Sequence, residues 1–326
     1  MPKITLVEGV NQALNHAMTQ DPEVVLLGQD IGKSGGVFRA TDGLFKKYGG
    51  DRVMDTPLAE SLIVGLSVGI ASQQMRPVAE IQFMGFIFPA FNQIASAAAR
   101  MRNRTRGRIG LPMVVRMPYG GGIRAPEHHS ESTEALLAHL PGIKVVIPSS
   151  PSRAYGLLLA AIRDPDPVIM LEPKRIYRTE KEQVKDDGEA YPLECCFIDR
   201  SGTDITLISW GAMLKETKQA AEQMEAEGVD CEVIDLVTIN PIDIATIVES
   251  VSKTGRCVIV QEATRAGGVA SEIAAELAEK AMLNLLAPIG RVTGYDTIMP
   301  LPRNEHRFMP SVERIVDEVR KTMEFH

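Results

Sequence analysis

The stretch Asp55-Thr-Pro-Leu-Ala-Glu-Ser-Leu-Ile-Val-Gly-Leu-Ser-Val-Gly-Ile70 places the carboxylate of Glu60 at the head of a segment that is otherwise apolar. Thr56 is a suitable N-cap and Pro57 suits the first helical position, so the sequence predicts a helix that begins there and runs to residue 72. A helix that is apolar on every side lies in a core or in an interface. Glu60 is therefore either a first-turn acid that the helix dipole favours or a carboxylate that faces a dry site.

The length and composition are those of a globular chain with two domains. At 326 residues the chain exceeds one ordinary core, and its net charge of −7 argues against a nucleic-acid-binding surface. No apolar run approaches the roughly 18 residues of a membrane span, and no signal-peptide core is visible, so no membrane partner is expected. The four cysteines form no Cys-x-x-Cys pair. They indicate neither a disulfide framework nor a zinc site, and they favour a cytoplasmic location.

Short apolar runs alternate with helix-length amphipathic segments, which predicts an α/β fold with mostly parallel sheets covered by helices on both faces. The predicted strands are 24–27, 52–54, 78–83, 113–117, 144–147, 168–171, 205–209, 231–236 and 257–260. The predicted helices are 7–18, 57–72, 89–103, 133–139, 152–163, 213–227, 242–251 and 269–281. A polar stretch without periodicity interrupts this pattern. We therefore predict a first domain at residues 1–180, a linker at 181–203 and a smaller α/β domain at 204–326.

Two glycine-containing patterns suggest other chemistry. Gly65-Leu-Ser-Val-Gly69 matches the G-x-S-x-G pattern of hydrolases, in which Ser67 would be the nucleophile. That serine requires a sharp turn from strand to helix, whereas here it lies within a predicted helix, so a serine hydrolase is a remote alternative. Gly120-Gly-Gly-Ile-Arg-Ala125 matches a dinucleotide-binding pattern, but Pro126 follows at once and no helix begins there. A flexible loop that approaches a ligand or a partner chain is the better interpretation.

Two further groups of side chains follow predicted strands, where open parallel sheets bind ligands. His128 and His129 end the glycine-rich loop without an acidic cluster at metal-ligand spacing, so they are either acid/base or anion-binding candidates or structural residues. Four of the nine phenylalanines lie within nine residues: Phe83, Phe86, Phe88 and Phe91. They either fill a core or form a flat wall for a planar ring.

Together these stretches resemble one family, the beta subunits of the decarboxylating components of 2-oxoacid dehydrogenase complexes. The resemblance rests on the stretch with Glu60, on Glu80-Ile-Gln-Phe-Met-Gly-Phe-Ile-Phe-Pro-Ala-Phe, on His129-Ser130 and on Pro141-Gly-Ile-Lys-Val-Val-Ile-Pro-Ser. It continues through Ala161-Ile-Arg-Asp-Pro-Asp-Pro-Val-Ile and Leu171-Glu-Pro-Lys-Arg to Thr254-Gly-Arg-Cys-Val-Ile-Val-Gln-Glu-Ala-Thr-Arg265. These matches occur in the same order over nearly the whole chain.

The resemblance implies a thiamine-diphosphate-binding fold, with a pyrimidine-binding domain followed by a transketolase-type C-terminal domain. It implies that Glu60 is catalytic and binds the cofactor, because it corresponds to the glutamate that hydrogen-bonds a pyrimidine nitrogen and promotes the imino tautomer. Phe86, with Phe83 beside it, corresponds to the aromatic position that packs against the pyrimidine. His129 corresponds to the active-site histidine that acts in reductive acylation of the lipoyl group, and His128 is the second candidate.

The resemblance also implies a potassium site, built largely from backbone carbonyls. Its predicted ligands are Met113, Ala161, Ile162, Asp164 and Asp166. Oxygen ligands suit a hard cation, although Asp166 stands where relatives often have Asn.

One absent motif defines the expected partners. The chain contains no Gly-Asp-Gly, the motif with which thiamine enzymes hold Mg²⁺ and the diphosphate. We therefore expect a separate alpha subunit that supplies both, in a heterotetramer of two alpha and two beta chains that docks on a lipoyl-bearing dihydrolipoyl acyltransferase core. The implied reaction is oxidative decarboxylation of a 2-oxoacid with acyl transfer to lipoamide. Pyruvate is the favoured substrate, a branched-chain 2-oxoacid (2-oxoisovalerate) is second, and a non-catalytic scaffold subunit is a remote alternative.

Overall fold

The computed structural model describes residues 2–325, in which strands and helices alternate along the chain. The strands are β1 (Lys3–Thr5), β2 (Val24–Gly28), β3 (Val53–Asp55), β4 (Arg76–Glu80), β5 (Val114–Tyr119), β6 (Lys144–Val146), β7 (Val168–Pro173), β8 (Lys181–Gln183), β9 (Phe197–Arg200), β10 (Ile205–Ser209), β11 (Cys231–Asp235), β12 (Thr238–Asn240), β13 (Cys257–Val260) and β14 (Gly290–Val292). The α-helices are α1 (Leu6–Gln20), α2 (Leu44–Tyr48), α3 (Glu60–Ser72), α4 (Met101–Arg104), α5 (Glu134–Ala138), α6 (Pro151–Arg163), α7 (Met213–Ala226), α8 (Ile244–Thr254), α9 (Val269–Lys280), α10 (Glu305–Phe308) and α11 (Val312–Met323). None of the described helices is long and apolar enough to cross a membrane.

The first sheet has seven strands in the order β12-β6-β7-β5-β4-β2-β3, and its neighbouring strands are parallel except for the antiparallel pair β12 and β6. Successive residues of a strand alternate between two buried apolar clusters. Leu26 and Val114 belong to one cluster, and Leu27 and Val115 belong to the other. Side chains alternate across a strand, so this burial on both faces explains the continuous apolar run of β2. The predicted α/β fold is confirmed.

The second sheet has five strands in the order β14-β13-β10-β11-β9; β9 runs antiparallel to β11 and the other pairs are parallel. The stretch predicted as a linker, 181–203, contains two strands, because β8 pairs with β1 and β9 pairs with β11. Most of their side chains are partly or fully exposed, and such short edge strands carry too little apolar periodicity to be predicted. β12 joins the first sheet from the second half of the chain, so the domain division at this stretch stays a prediction.

A buried ionic network ties the central strands of the first sheet together. Arg116 on β5 donates from Nε and Nη2 to the carboxylate of Glu172 on β7, at 2.7 Å each, and from Nη1 to Glu80 at the end of β4. The hydroxyl of Tyr177 also donates to Glu172. Burial raises the pKa of Glu80, and the nearby charge of Arg116 opposes that shift. The network fixes three strands whose following loops form the candidate site.

The helix that carries Glu60 begins later than predicted. α3 starts at Glu60 itself, and the carbonyl of Ala59 accepts its first two amide hydrogen bonds, at 2.9 and 3.0 Å. Thr56 is not the N-cap: its hydroxyl donates to the carbonyl of Pro57 at 3.1 Å. The Thr56 amide still bonds to the carbonyl of Gly28 at 3.0 Å and extends the ladder of β2 and β3. The chain therefore has to leave the sheet before a helix can begin.

Two segments before β5 also differ from the prediction. β4 ends at Glu80, so Phe83 lies in the following loop and not in a strand. The predicted helix over 89–103 is a series of short helical types: 3₁₀ turns at Phe88–Ala90 and Ala98–Arg100, a π-helical turn at Gln93–Ala97, and then α4. These helical types differ in the spacing of their hydrogen bonds, but the chain stays helical throughout. Apolar periodicity cannot distinguish such types from one continuous α-helix.

Candidate active half-site

Three neighbouring strands of the first sheet end at the candidate site. β4, β5 and β7 are adjacent and parallel, so the segments that follow them share one edge of the sheet. Phe83 and Phe86 follow β4, the loop with His129 follows β5, and Lys174 follows β7. The sequence points to the first two segments because their residue types stand out. The place of Lys174 in the site depends on the order of the strands in the sheet, which the sequence does not reveal.

The rings of Phe83, Phe86 and His129 pack edge to face in one cluster. Their centroids are 5.6 Å apart for the two phenylalanines, 4.6 Å for Phe83 and His129, and 5.1 Å for Phe86 and His129. His128 lies on the exposed side of Phe86, at 5.5 Å, and stacks on Phe88 at 6.3 Å. The structure thus brings together three residues predicted for cofactor binding and catalysis, and it leaves His128 at the rim.

His129 keeps one ring nitrogen unpaired inside this cluster. Its Nδ1 is buried and has no hydrogen-bond partner among residues 2–325. The amide of Gly120 bonds to the carbonyl of Glu131 at 2.8 Å and closes the base of the loop. Gly85 lies so close to the carbonyl of His128 that a Cβ atom there would collide with it. The residue as a whole is only partly buried, so an imidazole held this firmly can exchange a proton with a ligand on its exposed side.

Glu60 lies at the same edge of the sheet, because α3 follows the parallel strand β3. Its side chain is partly exposed and makes no hydrogen bond or ion pair within the described part of the chain. α3 packs against the turn at Phe88–Ala90, which follows the aromatic cluster. The dry surroundings expected for Glu60 are not formed by this chain alone, since Leu58, Leu62 and Leu66 beside it are 70, 46 and 40% exposed.

The serine-hydrolase alternative is wrong. Ser67 lies fully buried in the middle of α3, and its hydroxyl donates to the carbonyl of Ile63 at 2.9 Å. A nucleophile elbow places the serine on a turn between strand and helix, with the hydroxyl exposed. Ser67 therefore stabilises a helix and cannot reach a substrate.

The glycine-rich loop is held by carboxylates and is not a free loop. Three of residues 120–124 have positive φ angles of 83, 88 and 59°. Such angles turn successive amides toward one side and form an anion-binding nest. Glu262 accepts one of these amide N–H groups, and Glu305 accepts two more, at 2.8 and 2.9 Å. The amides that a dinucleotide would need are taken, so the loop is not a dinucleotide site. Sequence reasoning missed both glutamates, although Glu262 lies in a stretch that carries the resemblance.

Lys174 is a further charged residue that the sequence interpretation missed. Its side chain is 3% exposed, its Nζ has no hydrogen-bond partner among the described residues, and it lies 5.5 Å from the centre of the Phe83 ring. Burial lowers the pKa of Lys174 to about 8, against the opposing charges of Glu262, Glu305 and Glu131. Burial also raises the pKa of Glu131. Lys174 lies in Leu171-Glu-Pro-Lys-Arg, a stretch that carries the resemblance, but the residue types there do not reveal the burial that makes this lysine unusual.

The residues predicted to bind potassium surround the loop between α6 and β7. They are Met113, Ala161, Ile162, Asp164 and Asp166. The carbonyl of Ile162 accepts a hydrogen bond from Nη1 of Arg76 at 2.8 Å. The carbonyl of Met113 accepts one from the amide of Val168 at 3.0 Å. Two of the predicted carbonyl ligands therefore already have donors from the chain.

The two acidic residues of this loop also pair with cations of the chain. Nζ of Lys144 donates to the Asp164 carboxylate at 2.6 Å, and Nε of Arg102 donates to the Asp166 carboxylate at 2.6 Å. Carbonyl and carboxylate oxygens suit a hard cation. These contacts leave fewer of them open to a potassium ion, and we assign no step to one. The potassium site stays a prediction, and these contacts argue against it.

The chain matches two family models that together span most of its length. The first, described as "Transketolase, pyrimidine binding domain", matches residues 2–180. The second, described as "Transketolase, C-terminal domain", matches residues 196–315.

Curated proteins and a solved structure resemble the chain over its full length. The pyruvate dehydrogenase E1 component subunit beta of Acholeplasma laidlawii is 51% identical over 321 residues, which is 98% of each chain. Its namesake in Staphylococcus epidermidis is 47% identical over 325 residues, and that in Staphylococcus aureus is 46% identical over 325 residues, both covering 100% of each chain. A split gene transketolase, described as an inactive beta4 tetramer, superposes with a TM-score of 0.82 over 99% of each chain at 23% identity. At that identity the likeness concerns the fold alone.

Proposed function

The chain belongs to the family of pyruvate dehydrogenase E1 component beta subunits, and from that premise we propose that it works with an alpha subunit in the oxidative decarboxylation of pyruvate and acetyl transfer to lipoamide. The observation that carries the proposal is the edge of the first sheet, where Phe86 and His129 pack together and Glu60, at the start of α3, has no partner within residues 2–325. These are a carboxylate, an aromatic wall and an unpaired imidazole nitrogen, and all three come from separate loops or helix starts. They form one half of a site.

Thiamine diphosphate fits this half-site, and when bound it supplies the electron sink for decarboxylation. The carboxylate of Glu60, which has no partner within residues 2–325, would accept a hydrogen bond from the pyrimidine ring. Phe86 and Phe83 would pack against that ring. The partly exposed imidazole of His129 would exchange a proton during acyl transfer to the lipoyl group.

We assign Mg²⁺ and the diphosphate to the alpha subunit. The chain has no Gly-Asp-Gly motif, with which thiamine enzymes hold these two groups. Leu62 and Leu66 on α3, with Leu58 just before it, are exposed and support a contact with the alpha subunit beside Glu60, because an exposed apolar patch marks an interface.

The alpha contact can be tested by charge placement. Leu62→Asp should abolish co-purification of the two subunits, since it places an unpaired charge in an apolar contact. Ile198→Asp, at an apolar residue that is 50% exposed on β9 of the second sheet, is the matched control and should leave association intact. Equal association of both variants with the alpha subunit would contradict the proposed contact.

We also propose that the heterotetramer of two alpha and two beta chains docks on a lipoyl-bearing dihydrolipoyl acyltransferase core in the cytoplasm. Met282, Leu283 and Leu286 of the second domain are 69, 100 and 59% exposed, which supports a contact on that side. Leu283→Asp should weaken binding to the core and leave turnover with an artificial electron acceptor unchanged. Unaltered binding of this variant to the core would place the contact elsewhere.

Co-expression of the chain with its alpha subunit tests the function itself. Dye-coupled turnover with thiamine diphosphate and Mg²⁺ should be faster for pyruvate than for 3-methyl-2-oxobutanoate, and the reverse order would identify a branched-chain enzyme. No thiamine-dependent turnover of either substrate would contradict the family's reaction for this chain. Calorimetry tests the alternative of a non-catalytic scaffold. A scaffold chain would bind the alpha subunit but leave the affinity of the alpha subunit for thiamine diphosphate unchanged.

A further inference from the structure

Glu262 holds both ends of the loop that carries His129. Two residues after β13, its carboxylate accepts the amide N–H of Gly121 at the start of the loop. The same oxygen accepts the hydroxyl of Ser132, just past the end of the loop, at 2.8 Å. The Glu262 side chain is 2% exposed, so these bonds lie in a region that water scarcely screens.

Glu305 holds the middle of the same loop. It is the first residue of α10, and its two carboxylate oxygens accept the amides of Gly122 and Arg124 at 2.8 and 2.9 Å. Bonds from amides to an ionised carboxylate are about twice as strong as those between neutral groups. Gly122 and Arg124 have φ angles of 88 and 59°, a conformation in which consecutive amides can converge on one anion.

One buried cation offsets part of the charge of this carboxylate pair. The ammonium of Lys174 is acted on by the charges of Glu262, Glu305 and Glu131, and it lies 5.5 Å from the centre of the Phe83 ring. Phe83 in turn contacts the ring of His129 at 4.6 Å. Residues that follow strands of both sheets, Lys174 after β7 and Glu262 after β13, therefore meet around the loop and its aromatic neighbours.

We propose that Glu262 and Glu305 are positioning residues for His129, through which the second half of the chain sets the geometry of acyl transfer. The expected effect on acyl transfer rests on the proposed function of His129. Neither glutamate touches the reacting atoms. Each acts through backbone amides of the loop, which keeps the His129 ring against Phe83 and Phe86.

Kinetics of the assembled alpha–beta complex provide the first test. Glu262→Ala and Glu305→Ala should each lower acyl transfer to the lipoyl domain by about 10- to 100-fold, the effect of losing a hydrogen bond to a charged group. Dye-coupled decarboxylation should stay within about twofold of the wild type, because it does not use the lipoyl group. The glutamine variants keep one acceptor oxygen and should lie between alanine and wild type. Glu249→Ala, at an exposed glutamate of α8, is the control and should change neither rate.

Hydrogen exchange of the same complex provides a readout that does not depend on activity. Amides of residues 120–131 should exchange faster in both alanine variants, while amides of β7 should exchange as in the wild type. Unchanged exchange in the loop would overturn the proposal, and so would equal losses of decarboxylation and acyl transfer, which indicate general destabilisation. A wild-type complex without thiamine-dependent turnover would contradict the proposed function, while the exchange result would still decide whether the two glutamates hold the loop.

Discussion

Replacing Glu60 by glutamine should separate catalysis from folding. The carboxylate makes no hydrogen bond or ion pair within residues 2–325 and its side chain is partly exposed. An amide of the same shape should therefore change the free energy of unfolding by no more than about 0.5 kcal/mol, which is the usual range for surface positions. A change of that size shifts the melting temperature by about 1 °C in a protein of this length. If Glu60 handles a proton of the cofactor, turnover should fall by about 10²- to 10⁴-fold, the usual contribution of a positioned acid/base group.

The assay compares the Glu60→Gln complex with Glu189→Gln, which changes an exposed glutamate before β9 in the same way. Dye-coupled pyruvate turnover at saturating thiamine diphosphate gives kcat, and thermal unfolding with size-exclusion chromatography reports stability and assembly. We expect loss of turnover with an intact heterotetramer in the first variant and no change in the second. Turnover above about a tenth of the wild-type value would refute the catalytic role. A dissociated complex would show instead that Glu60 is a structural acid at the start of α3.

Three further outcomes follow from contacts of the first sheet and its loops. Gly85→Ala places a Cβ against the carbonyl of His128, and overpacking of about 1–3 kcal/mol should slow acyl transfer by about ten- to a hundredfold. Gly50→Ala, where a Cβ meets only ordinary contacts, is the control. A wild-type rate for Gly85→Ala would contradict this expectation. Arg116→Met leaves two buried carboxylates without their cation and should lower the free energy of unfolding by about 3–5 kcal/mol in urea titrations, whereas a loss below about 1 kcal/mol would show that the carboxylates take up protons. Exchange of sodium for potassium should leave the melting temperature unchanged, because the loop around Asp164 already binds cationic side chains, and a potassium-selective rise would restore the predicted site.

The fold and part of the site follow from local features of the sequence. Apolar runs of strand length between amphipathic helices predict a parallel sheet, and parallel strands bring their carboxyl ends to one edge. That rule places Phe83, Phe86 and His129 together, and the structure brings their rings to within 4.6–5.6 Å. Their roles stay predictions, because proximity shows what can act together and not what each group does.

The remaining features depend on contacts that have no local signature. α3 begins at Glu60 because Thr56 still bonds to the neighbouring strand, a tertiary contact that overrides a good capping sequence. Glu262, Glu305 and Lys174 look like ordinary charged residues until the sheets bring them to one loop and bury them. Sequence spacing cannot show this, because the three residues lie in separate parts of the chain and meet through strand order.

Because the half-site needs a partner chain to complete it, we expect cofactor binding to stabilise the assembled heterotetramer. Glu60 and the exposed Leu62 lie on one helix, so a partner that covers the leucine also closes the surroundings of the carboxylate. A ligand held by both chains stabilises the state in which they are joined, by about 2.7 kcal/mol at a concentration of 100 times its Kd. Thiamine diphosphate with Mg²⁺ should therefore raise the melting temperature of the heterotetramer and leave that of the isolated beta chain unchanged. Glu60→Gln should reduce the rise without changing the melting temperature of the cofactor-free complex. An equal rise for the isolated chain would mean that it holds the diphosphate with groups of its own, and the reasoning that assigns Mg²⁺ to the alpha subunit would then fail.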